Sequence, residues 1–203
     1  MKVAFRLAKS HFGDAVAACS WLSTASIDIY AQSPNPDRVK YFENIWNQLD
    51  SPIKVHFSHG YPKNCVSYHL DKENITKHKY VSTKLKYNNN NLITYSWDAN
   101  FAADIKVPSW LPNSNIANYF DAKYLGEHLG LIPTIELLAQ SKLFICCESG
   151  LAHLARCVGV PTLIIEYKHF HSVELAHPRN MWQYESIKPN NEEELSSKIK
   201  ELI

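Results

Sequence analysis

The sequence predicts an α/β protein whose strands run parallel in two small lobes. Three observations carry that expectation. Residues 2–57 alternate apolar runs with segments of helical spacing, in the order β-α-β-α-β, an order that implies a parallel sheet with right-handed crossovers. Residues 143–165 read as a buried strand, a sharp polar turn, a helix and a second buried strand. A polar stretch, residues 71–91, interrupts the pattern with Lys72, Lys77, His78, Lys79, Lys84 and Lys86 followed by asparagines at 88–91. Such a run reads most simply as solvated chain joining two folded parts, or else as a basic lip for a phosphate-bearing acceptor. The lobes are accordingly placed at 1–75 and 92–203, with a linker at 76–91.

Each element has its own signal. Residues 2–7 are mainly apolar and suit a strand, 8–13 a loop and 14–22 a helix. A second strand follows at 27–31. From Pro36 to Leu49, Val39, Phe42, Ile45, Trp46 and Leu49 recur at helical spacing, with Pro36 near the start. A third strand is expected at 53–57 and a short one at 92–96. The stretch 98–120, with Pro108, Pro112 and several Asn, reads mainly as loop. Residues 133–141 suit a helix whose apolar side is Ile135, Leu138 and Ala139.

The run 143–147 is apolar on both faces, as in a parallel strand covered on both sides. Ser149 is placed to cap a helix, and Gly150 leaves the backbone bare in its first turn. Leu151, Leu154, Ala155 and Val158 form the stripe expected to face the sheet. His153 and Arg156 fall off that stripe and are expected on a polar face near the helix entrance. Gly159 is placed to end the helix and Pro161 to prevent its resumption. A buried strand at 162–165, a polar aromatic loop and a closing helix at 192–202 with an acidic first turn complete the chain. A helix N-terminus at the carboxyl edge of a parallel sheet presents unpaired N–H groups and a positive dipole end, so residues 149–151 form a candidate phosphate site.

Composition narrows the function classes. The chain has 203 residues, 45% of them hydrophobic, enough for one large domain or two small ones. A formal charge of +1 gives no global basic field for nucleic acid. No apolar run approaches the ~20 residues of a membrane span, and the first residues do not read as a secretion signal. The five cysteines are odd in number, lack a Cys-x-x-Cys pair and lie mostly in apolar contexts, which points to a reduced, cytoplasmic setting. Neither a Gly-x-Gly-x-x-Gly after the first strand nor a Walker-type Lys-Ser/Thr is present, against a dinucleotide oxidoreductase or a P-loop kinase. His169, His171 and His177 have no neighbouring Cys pair or His-Glu-x-x-His helix, so no metal is expected.

Three segments together resemble glycosyltransferase family 9, the ADP-heptose:lipopolysaccharide heptosyltransferase type. The start, Met1-Lys-Val-Ala-Phe-Arg-Leu-Ala-Lys-Ser-His-Phe-Gly-Asp14, is similar to the family's first strand and Gly-Asp turn. Glu148-Ser-Gly-Leu-Ala-His153-Leu-Ala resembles its Asp-Ser/Thr-Gly-x-x-His-x-Ala signature. Ile135-Glu-Leu-Leu-Ala-Gln-Ser-Lys-Leu-Phe-Ile matches the helix and strand leading into it. The chain departs from the family in its shorter length, in Glu148 for Asp, and in Glu166-Tyr-Lys-His-Phe where a Gly-Pro turn is common.

The resemblance implies two Rossmann-like lobes in a compact GT-B arrangement. It also implies transfer of a sugar from a nucleotide-diphospho sugar, with inversion and without a cofactor. Asp14, beside Gly13, becomes the candidate general base; the plain alternative is a helix cap. Ser149, Gly150 and Leu151 would hold the diphosphate, Glu148 the sugar hydroxyls, and His153 a phosphate or sugar oxygen. The family's phosphate-binding lysine, near a Trp-Pro, has no clean counterpart, and Lys106, ahead of Pro108 and Trp110, is the candidate in its place; Lys168 and Arg179 are further cations for the diphosphate. The acceptor implied is a bacterial surface saccharide, with a hydroxylated base in viral DNA as an alternative. Two rival readings are a non-catalytic nucleotide or sugar-phosphate binding module and an interaction protein with an inherited fold.

Overall fold

The computed structural model describes residues 3–6, 29–32, 36–50, 55–58, 66–68, 82–97, 107–126, 129–147, 149–166 and 183–203. The chain divides into two compact units, Met1–Lys84 and Leu85–Ile203. The expected helix at 14–22 lies outside the described residues.

The first unit holds β1 (Val3–Arg6), β2 (Ile29–Gln32), α1 (Pro36–Asn47), β3 (Val55–Ser58) and β4 (Val66–Tyr68). Its sheet has the order β3-β2-β1-β4 and every pairing is parallel. Val3 stands level with Ile29 on one side and Val66 on the other. The chain therefore starts in the sheet's interior, adds strands on one side and returns to add β4 on the other. The helical stripe read from the sequence is the buried one: Val39, Phe42, Ile45, Trp46 and Leu49 are all in the core. Beyond α1, Leu49 bridges Thr83 antiparallel, and the Asp50 and Lys84 amides donate to the Ser82 and Gln48 carbonyls. Thr83, within the lysine-rich run, is thereby fully buried.

The second unit contains β5 (Leu92–Ser96), a 3-10 turn (Leu111–Asn113), α2 (Ile116–Tyr119), β6 (Lys123–Tyr124), α3 (Leu131–Ala139), β7 (Ser141–Cys147), α4 (Gly150–Val158), β8 (Thr162–Ile165), β9 (Tyr184–Ile187) and α5 (Glu192–Leu202). Its five strands are parallel in the order β6-β5-β7-β8-β9. One face of the sheet presents Ile93, Leu143, Ile145, Cys147, Leu163 and Ile165 to Leu195 and Ile199 of α5 and to Leu111 and Ile116. The other face meets α3 and α4, which also pack on each other. There the Ser141 hydroxyl donates to the Leu137 carbonyl at 2.7 Å and lies 2.8 Å from the Thr94 hydroxyl, tying β5 and β7 to the last turn of α3.

Several boundaries differ from the sequence reading, each for a local reason. Helix α3 begins at Leu131, two residues before Pro133, because a proline in the first turn removes an N–H that has no helical partner anyway. Gly130 makes that entry with φ 74°. β7 starts at Ser141, where a register shift beside Leu92/Ile93 absorbs Lys142. The stretch 98–120, expected mainly as loop, contains the 3-10 turn and α2, anchored by the fully buried Leu111 and Ile116. β4, β6 and β9 were not anticipated. They are short, and each is an edge strand that needs only one neighbour. Among the described residues no helix is long and apolar enough to cross a membrane.

Candidate nucleotide-diphosphate site

In a parallel sheet with helices on both faces, ligands bind outside the carboxyl ends of the strands, where successive connections leave for opposite faces. In the second unit that place lies between β5 and β7. The chain leaves β5 toward the face covered by Leu111, Ile116 and α5, adds β6, and then returns to the far side of β5 as β7. From β7 it enters α4 on the opposite face. Ser96 is level with Cys146, so Trp97, which follows β5, and Ser149, which precedes α4, both lie past the carboxyl ends of neighbouring strands.

Helix α4 opens at this point. Ser149 has extended backbone, φ −153° and ψ 172°, and Gly150 is the first helical residue. The Ser149 carbonyl accepts from the Ala152 amide at 3.1 Å, whereas the amides of Gly150 and Leu151, as the first of the helix, have no carbonyl within it to meet. The Ser149 side chain makes no capping bond. Its Oγ is buried and has no hydrogen-bond partner among the described residues. A buried hydroxyl left in that state costs about 1–3 kcal/mol, and such a group calls for an explanation such as a functional role or an ordered water or ion. Gly150 and Leu151 remain half-exposed above it. The arrangement combines a dipole end, two amides and a hydroxyl, all suited to phosphate oxygens. At its far end α4 closes as the sequence implied: Gly159 takes φ 88°, and the Val160 amide returns to the Ala155 carbonyl at 3.2 Å.

His153 corrects the sequence reading. Expected on a polar face, it is buried, because α4 is held between the sheet and α3 and little of its circumference is left to solvent. Arg156, its expected companion, stays half-exposed. Burial lowers the His153 pKa from 6.5 to about 4, and the positive end of α4 one turn away opposes a cation there as well. The imidazole is thus neutral near pH 7, fit to exchange hydrogen bonds with a ligand but not to supply charge. The unfolded chain binds this proton near pH 6.5 and the folded chain only near 4, so stability is fully present above 6.5 and falls as pH drops toward 4. The loss approaches about 3 kcal/mol. Urea midpoints at pH 7 and pH 4.5 should separate more for the natural chain than for His153→Gln.

Of the remaining expected site residues, Gly13, Asp14, Lys106, Glu148, Lys168 and Arg179 lie outside the described residues. Those the structure brings together are Ser149, Gly150, Leu151 and His153. Trp97, not singled out from the sequence, follows the end of β5, the strand next to β7. Its signal was a large aromatic directly after the last residue of a strand.

Comparison with solved structures fixes what this fold is like. The ADP-heptose lipopolysaccharide heptosyltransferase II of E. coli superposes with a TM-score of 0.59 at 10% identity, over 100% of this chain and 98% of its own. The glycosyl transferase family 9 protein of Veillonella parvula DSM 2008 gives 0.51 at 10% identity, covering 98% and 90%. This chain has the fold of the family 9 glycosyltransferases. TibC, an iron-containing dodecameric glycosyltransferase from enterotoxigenic E. coli H10407, gives 0.52 at 14% identity over 81% of this chain. The chain spans 57% of TibC's length. A second TibC structure is a complex with ADP-D-β-D-heptose. Iron belongs to TibC; here, among the described residues, no three His, Cys, Asp or Glu side chains gather to hold an ion. No family model and no curated protein sequence matches the chain.

Proposed function

We propose that the chain is a glycosyltransferase that moves a sugar from a nucleotide-diphospho sugar to an acceptor hydroxyl. The acceptor oxygen attacks the anomeric carbon from the face opposite the diphosphate, which leaves with the bonding electrons and inverts the centre. Asp14 takes the acceptor proton. Ser149 and the Gly150 and Leu151 amides receive the charge growing on the departing phosphate, where fixed donors act most strongly. Glu148 binds sugar hydroxyls, His153 gives a neutral hydrogen bond, and Lys106 and Lys168 add positive charge. The acceptor is a saccharide, no cofactor takes part, and the work is done in the reducing cytoplasm, in keeping with the free thiols of Cys146, Cys147 and Cys157.

The observation that carries this reading is the buried, unpartnered Ser149 hydroxyl at the opening of α4. It stands at the strand-order reversal of a sheet whose solved likenesses are glycosyltransferases. A thermal-shift panel of ADP-, UDP-, GDP- and CMP-sugars tests it. A diphospho sugar at about 100 times its Kd should add about 2.7 kcal/mol of stability; the CMP-sugars lack a diphosphate and should not. The matching donor should then release nucleoside diphosphate when saccharide acceptors are added. A panel with no hit ends the proposal, and a hit without turnover on any acceptor leaves a binding module.

A further inference from the structure

The carboxyl edge beside α4 carries a feature that phosphate binding does not use. Tyr95 and Trp97 lie two apart along the β5 direction and so share a face of the sheet, with ring centroids 4.9 Å apart and planes tilted by 44°. Tyr95 in turn lies 5.3 Å from Tyr124 of β6. The result is an aromatic row that climbs the sheet and ends in Trp97 at the crevice. Trp97 packs on the core cluster from below yet is only half-buried. Tyr95 and the core cluster cover part of the indole and leave the rest exposed.

Distance ties this surface to the phosphate site. Ser96 is level with Cys146, so Trp97 follows one residue beyond that pair on the β5 side and Ser149 three residues beyond it on the β7 side. Neighbouring strands are about 4.8 Å apart, so the backbone that carries Trp97 leaves the sheet one strand away from the chain that goes on to α4. That spacing is about the reach of a ribose. A flat, electron-rich ring so placed is suited to stacking on a heteroaromatic base and is indifferent to which base it is.

We propose that Trp97 is the platform for the nucleobase of the donor, an assignment that rests on the diphosphate lying at Ser149–Leu151. Calorimetric titration with ADP, UDP, GDP and CDP, and separately with inorganic pyrophosphate, tests it on the full chain. Trp97→Leu keeps apolar contact with the core cluster but removes the flat ring, and Trp97→Phe keeps a ring. For the nucleotide that binds best, Trp97→Leu should weaken binding roughly five- to hundred-fold, while pyrophosphate binding is unchanged and Trp97→Phe recovers most of the loss. Equal weakening of nucleotide and pyrophosphate, or no weakening of either, overturns the assignment. If pyrophosphate binds but no nucleoside diphosphate does, the platform is rejected and the phosphate site survives. If neither binds, the phosphate site falls with it.

Discussion

Gly150→Pro should lower turnover about 100- to 1,000-fold, the usual cost of removing one fixed donor from a charge-stabilising site, while the fold stays intact. The substitution is mild for the structure because of where Gly150 sits. It is the first residue of α4, the helical position that proline tolerates best, since the missing N–H has no helical acceptor and the fixed φ already suits a helix. A residue before proline must be extended, and Ser149 already is, at φ −153° and ψ 172°. No hydrogen bond within the helix is lost. Gly150→Ala keeps the amide and should retain far more activity. Thermal melting and steady-state kinetics on the three proteins decide the matter. A proline variant that melts near the natural temperature and still transfers sugar at the natural rate would show that this amide plays no part.

Much of this site was legible because short-range rules govern it. A cap-type residue, a bare glycine, an apolar stripe and a closing glycine sit within residues 149–159, and the helix they describe is the observed Gly150–Val158. The doubly covered run at 143–147 and the strand at 162–165 follow from the same local reasoning. What the sequence hid was set by partners distant along the chain. His153 looks polar by helical spacing, and the packing of α4 against both the sheet and α3 buries it. Lys123-Tyr124 has no apolar alternation, and it becomes a strand because Thr94 and Tyr95 of β5 offer it an edge. Trp97 gains its meaning only when the strand order puts β5 beside β7. Local pattern thus located the start of α4, while sheet topology was needed to show what stands next to it.

Asp14→Asn should lower kcat by about 100- to 10,000-fold, the range for loss of a positioned general base, and leave donor affinity nearly unchanged. The substitution separates two roles that the sequence alone allows for this residue. Asparagine caps a helix about as well as aspartate does, so a residue serving only as a cap should tolerate the exchange in both stability and rate. A base cannot, because the amide has no lone pair basic enough to take the acceptor proton. β1 is the strand beside which the order of that sheet reverses, with β2 on one side and β4 on the other, and the chain that leaves its carboxyl end at Arg6 leads to Gly13 and Asp14. Two measurements should move together in the variant. The fall in kcat should come without a matching change in the donor's thermal shift, and the acid limb of the natural pH–rate profile should flatten. A variant with full turnover and an unchanged acid limb would return Asp14 to the role of cap and require another group to receive the proton.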